Sequence, residues 1–178
     1  ATGNAMIAAV QAAVDTFNAK IITMSYGGWD AFHDGSATVE QTFDWAVTRG
    51  VPCFVSAGNE AANGRHYSGT ISGSSTTDFI QVNITSGTQA VFNLCWNDGS
   101  ERRNLSLTWY NASFTPFAVT TYATTESGRG TESQYTQATS TLAAGTYYLK
   151  VTNPSSTSTM FHIYEYWGSG SVKFNAPD

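Results

Sequence analysis

Between Val51 and Glu60 an apolar run stops on Ser56-Ala57-Gly58-Asn59-Glu60, and the side chain there best suited to stabilise a nascent charge is the amide of Asn59. A primary amide offers an NH2 donor and does not titrate. Held beyond the end of a strand, it can point at a carbonyl oxygen that turns negative as its carbon becomes tetrahedral, and it is oriented before the charge develops. Ala57 and Gly58 beside it are small, and a glycine at such an edge lets another backbone approach closely. A matching small-residue step, Ser25-Tyr26-Gly27-Gly28, closes the earlier run Ile21-Ile22-Thr23-Met24.

Two helices and two strands must position these steps. Met6, Ile7, Val10, Val14 and Phe17 recur at three- and four-residue intervals and predict a helix over Asn4–Phe17. Ile21–Met24 reads as a strand covered on both faces. A second helix is expected over Thr38–Arg49: Thr38 and Gln41 have capping-box spacing, Phe43, Ala46 and Val47 supply the apolar side, and Gly50 ends it. Val51–Ala57 is then another buried strand. This order implies parallel pairing through right-handed crossovers, with ligands beyond the carboxyl ends of the strands.

After about Arg65 the helical period disappears. FIQVNIT, AVFNLCW, NLSLTWY, FAVTTYATT, TYYLKVT and MFHIYEYW are rich in β-branched and aromatic residues, mostly alternate, and are separated by turn residues. They predict an antiparallel β-sandwich or jelly roll, joined to the first region between Arg65 and Thr76. SGRGTESQ, Ser127–Gln134, reads as an exposed loop.

The 178 residues are 41% hydrophobic and only 12% charged, with a net charge of −5. No basic patch is present to displace phosphate counterions, so nucleic acid is not an expected partner. The low charge and abundant Ser, Thr, Gly and Asn point to a secreted protein. No apolar stretch is long enough to span a bilayer, so no membrane partner is expected. No signal peptide opens the chain, which begins inside a helical pattern as if cut from something longer. Cys53 and Cys95 are expected to be buried free thiols, with no metal-ligand spacing around them.

IITMSYGG, Ile21–Gly28, followed by ATVEQTFDWAVTRGVPCFVSAGNE, Ala37–Glu60, resembles the middle of a subtilisin-like serine peptidase. The resemblance covers about the first 65 residues. It implies that Asn59 is the catalytic oxyanion donor and that Ser25, Tyr26 and Gly27, with Gly28, form the backbone edge that pairs with an extended polypeptide substrate. By the same resemblance Ala57 and Gly58 form one wall of the pocket for the residue before the cleaved bond. The triad motifs of that family are absent: there is no Asp-Thr/Ser-Gly, His-Gly-Thr or Gly-Thr-Ser. His33 precedes Asp-Gly, His66 precedes Tyr-Ser, and His162 sits mid-strand, so all three read as structural, the first two in loops. The chain by itself is therefore not expected to hydrolyse peptides.

The β-rich region interrupts that family pattern and reads as an insertion. LAAGTYYLKVT, Leu142–Thr152, resembles the bacterial pre-peptidase C-terminal domain, a small β-sandwich attached to secreted peptidases. Where that domain often carries acidic residues, this chain has Asn97, Asp98 and Asn104, which weakens any calcium site; no metal and no cofactor are expected. Trp96, Trp109, Tyr110, Tyr122, Tyr147, Tyr148, Tyr164, Tyr166 and Trp167 could in part form a row for a carbohydrate or protein ligand, although alternation turns about half of such a row inward. Asn83, Asn104 and Asn111 head glycosylation sequons.

The expected architecture is α/β plus all-β: a partial subtilisin-like parallel α/β segment over 1–67, a jelly-roll or β-sandwich insertion over 68–173, and a return segment over 174–178. The expected function is that of a segment of a secreted serine endopeptidase. The alternative is a non-catalytic carbohydrate- or protein-binding β-sandwich module with a degenerate α/β stub.

Overall fold

Helical spacing of apolar residues yields two helices, α1 (Gly3–Asp15) and α2 (Thr38–Thr48), in the computed structural model, which describes residues 3–25, 31–57, 63–97, 104–166 and 171–175. Val10 and Ala46 are the buried anchors of the two helices, and the helices pack chiefly on each other. The capping box sits one residue earlier than Thr38 and Gln41 suggest. Ala37 is the N-cap, its backbone N–H donates to a Glu40 carboxylate oxygen at 3.2 Å, and Gln41 instead donates to the Ser36 carbonyl at 2.9 Å. At the other end Gly50 adopts φ +78°, its N–H bonds the Val47 carbonyl at 2.9 Å, and the Val51 N–H bonds the Ala46 carbonyl at 3.1 Å. That pair of bonds is a Schellman stop, which glycine makes without a Cβ penalty.

Strands β1 (Ile22–Met24) and β2 (Cys53–Val55) pair in parallel, Ile22 opposite Cys53 and Met24 opposite Val55. The expectation of a parallel α/β architecture is corrected here. Among the described residues the parallel pairing is confined to these two three-residue strands, and the remaining strand pairs are antiparallel, so the molecule is mostly β. Nor is the pair covered on both faces: Phe54 is 63% exposed and Ile21 58%. A two-stranded ribbon has two faces and two edges, and helices packed chiefly on each other cover them only in part.

The chain divides into two compact units, 1–59 and 60–178. The second is built from β3 (His66–Ile71), β4 (Ser75–Thr76), β5 (Ile80–Ile84), β6 (Val91–Asn97), β7 (Ser106–Tyr110) and β8 (Val119–Thr121). It continues with β9 (Thr125–Glu126), β10 (Thr131–Ala138), β11 (Gly145–Asn153), β12 (Thr159–Glu165) and β13 (Val172–Phe174). One sheet runs β3-β12-β6-β10-β8, with β9 also on β10; the other runs β13-β5-β11-β4, with β7 also on β11. Both sheets turn alternate residues into one shared core, in which Phe92, Leu94, Trp96, Phe161 and Ile163 meet Val82, Trp109, Leu149 and Val151. Complete burial of an aliphatic or phenyl side chain contributes about 1.5–3 kcal/mol, so this core is the main stabilising term of the unit. The Phe92 and Trp109 rings lie 4.8 Å apart, and the Trp109 Nε1–H donates to Thr136 Oγ1 at 3.0 Å, tying β7 to β10 through the interior.

The largest departure from the sequence expectation within this unit is β10. Ser127–Gln134 was expected to be an exposed loop. Only its first part turns, and Thr131–Ala138 is an eight-residue strand between β6 and β8 with Glu132, Ser133 and Thr136 buried. Two of its buried hydroxyls are paired inside the protein: Ser133 Oγ donates to Asn93 Oδ1 at 2.7 Å, and Thr136 Oγ1 accepts the indole proton. Satisfied in that way, hydroxyls and amides can occupy a central strand. The stretch expected to be a linker, Arg65–Thr76, likewise holds β3 and β4.

Both ends of the unit are clasped. Arg65 Nε donates to Glu165 Oε2 at 2.7 Å, Arg65 Nη2 to the Glu165 carbonyl at 3.3 Å, and the Glu165 N–H to the Arg65 carbonyl at 2.8 Å. Next to them the Phe174 N–H bonds the Gly64 carbonyl at 2.7 Å. Elsewhere the turn between β3 and β4 presses on the turn between β11 and β12. A Cβ placed on Gly73 would overlap the Ser156 carbonyl, and both partners are backbone. Gly73→Ala is expected to lower the stability of the unit by about 1–3 kcal/mol, the usual cost of overpacking a rigid contact, as read from a chemical-denaturation midpoint. An unchanged midpoint would show that the turns separate freely.

Candidate functional site

Because β1 and β2 are parallel, their carboxyl ends lie side by side. The ladder runs from the Ile22 N–H on the Pro52 carbonyl at 3.0 Å to the Ser56 N–H on the Met24 carbonyl at 3.0 Å. Ser25 and Ala57, two of the residues implicated by the sequence, follow directly at this end, and both are exposed. Tyr26, Gly27, Gly28, Gly58 and Asn59 lie outside the described residues. The described part of the arrangement is an accessible end of a two-stranded parallel ribbon. Burial pushes the Cys53 thiol above its ordinary pKa, and its Sγ lies 3.5 Å from the Val51 carbonyl, so it stays protonated at neutral pH.

The histidines take structural places, though not all the expected ones. His66 opens β3 instead of lying in a loop, and its Nε2 meets His162 Nδ1 on β12 at 3.0 Å. Their rings are 12° from parallel, and Tyr164 stacks on His66 at 4.6 Å. Two nearly coplanar imidazoles facing each other nitrogen to nitrogen share one hydrogen bond. Among the described residues no group of three His, Cys, Asp or Glu side chains is placed to hold a metal ion.

The aromatic row divides. Trp96 and Trp109 are core residues, each 1% exposed. Tyr110 and Tyr148 join Phe79 and Phe114 in a partly exposed ring cluster, and Tyr147 packs against the core. Tyr122 and Tyr166 line an open cavity together with Tyr135. Tyr135 was missed because it lies in β10, and its alternation with the buried Thr136 is the signal that could have placed it. Trp167 lies outside the described residues.

Taken together, the chain has a mostly β fold with a small helical unit, and that fold occurs within a protease. The solved structure of the Clostridium perfringens CspB protease is similar to this chain with a TM-score of 0.74 and 14% sequence identity, over 100% of this chain and 42% of that one. The chain thus spans less than half of that protease, and at such identity the likeness establishes the fold alone. No protein-family model matches the sequence, and no curated protein matches it.

Proposed function

We propose that this chain is a segment of a secreted, subtilisin-like serine endopeptidase, in which Asn59 donates to the oxyanion and Ser25–Gly28 with Ala57 and Gly58 borders the bound polypeptide. The observation that carries the reading is the likeness to a protease fold along the whole chain, joined to MSYGG and SAGNE at the ends of two consecutive strands. Exposure of Ser25 and Ala57 at one end of the parallel pair supports it, since a substrate edge must be open to an incoming chain. The β unit, on this reading, is an accessory insertion resembling a pre-peptidase C-terminal domain. The nucleophile, base and orienting acid come from parts of the peptidase other than this chain, and the chain alone is inactive.

A fluorophosphonate probe, whose phosphorus is attacked by an activated serine oxygen with loss of fluoride to give a phosphonate ester, tests this in the intact protein. Labelling is expected at a single serine outside these 178 residues. A label on a serine within them, or none on protein that folds and is secreted, would refute the reading.

A further inference from the structure

Tyr135 and Gln137 alternate along β10 with Thr136, whose hydroxyl faces the second sheet, so they stand on the outer face of the first. Tyr122 is placed beside Tyr135 by its N–H bond to the Tyr135 carbonyl at 2.9 Å, and Tyr166 beside Val91 by a 2.9 Å bond of the same kind. Val91 pairs with Gln137. These residues and Thr125 line an open cavity of about 520 Å³, within the range of roughly 300–1,000 Å³ typical of small-molecule sites. No charged side chain among the described residues lines it.

We propose that this cavity binds a neutral sugar, one or two pyranose rings of an oligosaccharide. The proposal stands apart from the peptidase reading and does not depend on it. A pyranose has an apolar C–H face that stacks on an aromatic ring and a rim of hydroxyls that both donate and accept. The cavity offers the counterpart of each. Tyr122 is 49% exposed, giving an accessible ring. Its hydroxyl donates to Gln137 Oε1 at 2.8 Å, which fixes the amide plane. The Gln137 NH2 donates to no group among the described residues and remains available to a ligand hydroxyl.

Other ligand classes fit less well. Anions meet no cationic group among the described lining residues. The Tyr135 and Tyr166 rings touch edge to face, with centroids 5.1 Å apart, so no ammonium group fits between them. A polypeptide added as an extra strand has no edge to pair with at β10, which is already bonded to β6 on one side and to β8 and β9 on the other.

Calorimetric titration of the full chain with cellotetraose, chitotetraose, maltotetraose and xylotetraose, and with a proline-rich decapeptide as the competing class, is the test. At least one tetrasaccharide is expected to bind, and Tyr122→Ala and Tyr166→Ala are each expected to weaken it by about tenfold or more. Tyr122→Phe keeps the ring and releases Gln137, so it should lose only part of that affinity while its melting curve matches wild type. The proposal is overturned if none of the sugars binds at millimolar concentration, if binding survives both alanine variants, or if only the decapeptide binds.

Discussion

On the proposed peptidase reading, replacing Asn59 by alanine in the intact protein is expected to lower kcat by about 10²–10³-fold and to leave KM almost unchanged. The magnitude is that known for the corresponding donor of subtilisin and is carried over from that enzyme. The direction follows from where the charge sits. A ground-state carbonyl oxygen is only partly negative, whereas the tetrahedral oxygen carries a full charge, so a fixed donor stabilises the transition state far more than the bound substrate. Loss of that donor removes about 2.7–4 kcal/mol from the barrier-lowering terms and little from binding. Rates must be normalised to active-site concentration, because misfolding would reduce the number of competent sites without changing turnover per site. Unchanged turnover on that basis would remove Asn59 from the mechanism, while a rise in KM with kcat intact would make it a substrate-binding residue instead.

The second large effect is structural. Glu165→Gln is expected to destabilise the β unit by about 3–5 kcal/mol, because it removes the charge from one half of a buried pair and leaves the Arg65 guanidinium without its carboxylate. The Glu165 side chain is 0% exposed and that of Arg65 10%, so little water is available to replace the lost partner. Exposed pairs contribute at most about 1 kcal/mol, and burial is what separates this one from them. The double replacement Arg65→Met with Glu165→Leu removes both charges together and should recover most of the loss, since apolar substitutes of similar volume often match a buried pair. Near-UV circular dichroism on heating should place the midpoint of the single variant about 10–20 °C below wild type. A shift of a degree or two would mean that water reaches the clasp and that the pair is held for geometry rather than stability.

What the sequence conveyed was chiefly what neighbours in the chain decide among themselves. The α2 helix and its stop at Gly50 were legible because a Schellman turn involves residues within one helical turn of each other. Segments such as Val91–Asn97 and Gly145–Asn153 were legible because β-branched and aromatic residues cluster in them. β10 was not. Its Ser133 and Thr136 hydroxyls are paired with Asn93 and Trp109, 40 and 27 positions away in the chain, and no local pattern announces such partners. Tyr135 was lost with it, and so was the corner it forms with Tyr166.

The first unit shows the opposite error. The order helix, strand, helix, strand was correctly placed, but apolar composition overstated how far the parallel layer extends and how well it is covered. Phe54 and Ile21 have the composition of a buried layer without the burial. For the candidate site, Ser25 and Ala57 are found at the accessible end of the parallel pair, while Asn59 must be tested by chemistry.

The bond between Gly64 and Phe174 has a consequence for how such a unit can spread among proteins. A chain that enters and leaves through one doorway can be grafted into a surface turn of an unrelated host, whose flanking residues then stay as close together as a short hairpin would have kept them. If the β unit is the insertion proposed above, it carries its own latch in Arg65 and Glu165, so a recipient supplies only two ends already near each other and need not be remodelled to accommodate more than a hundred extra residues.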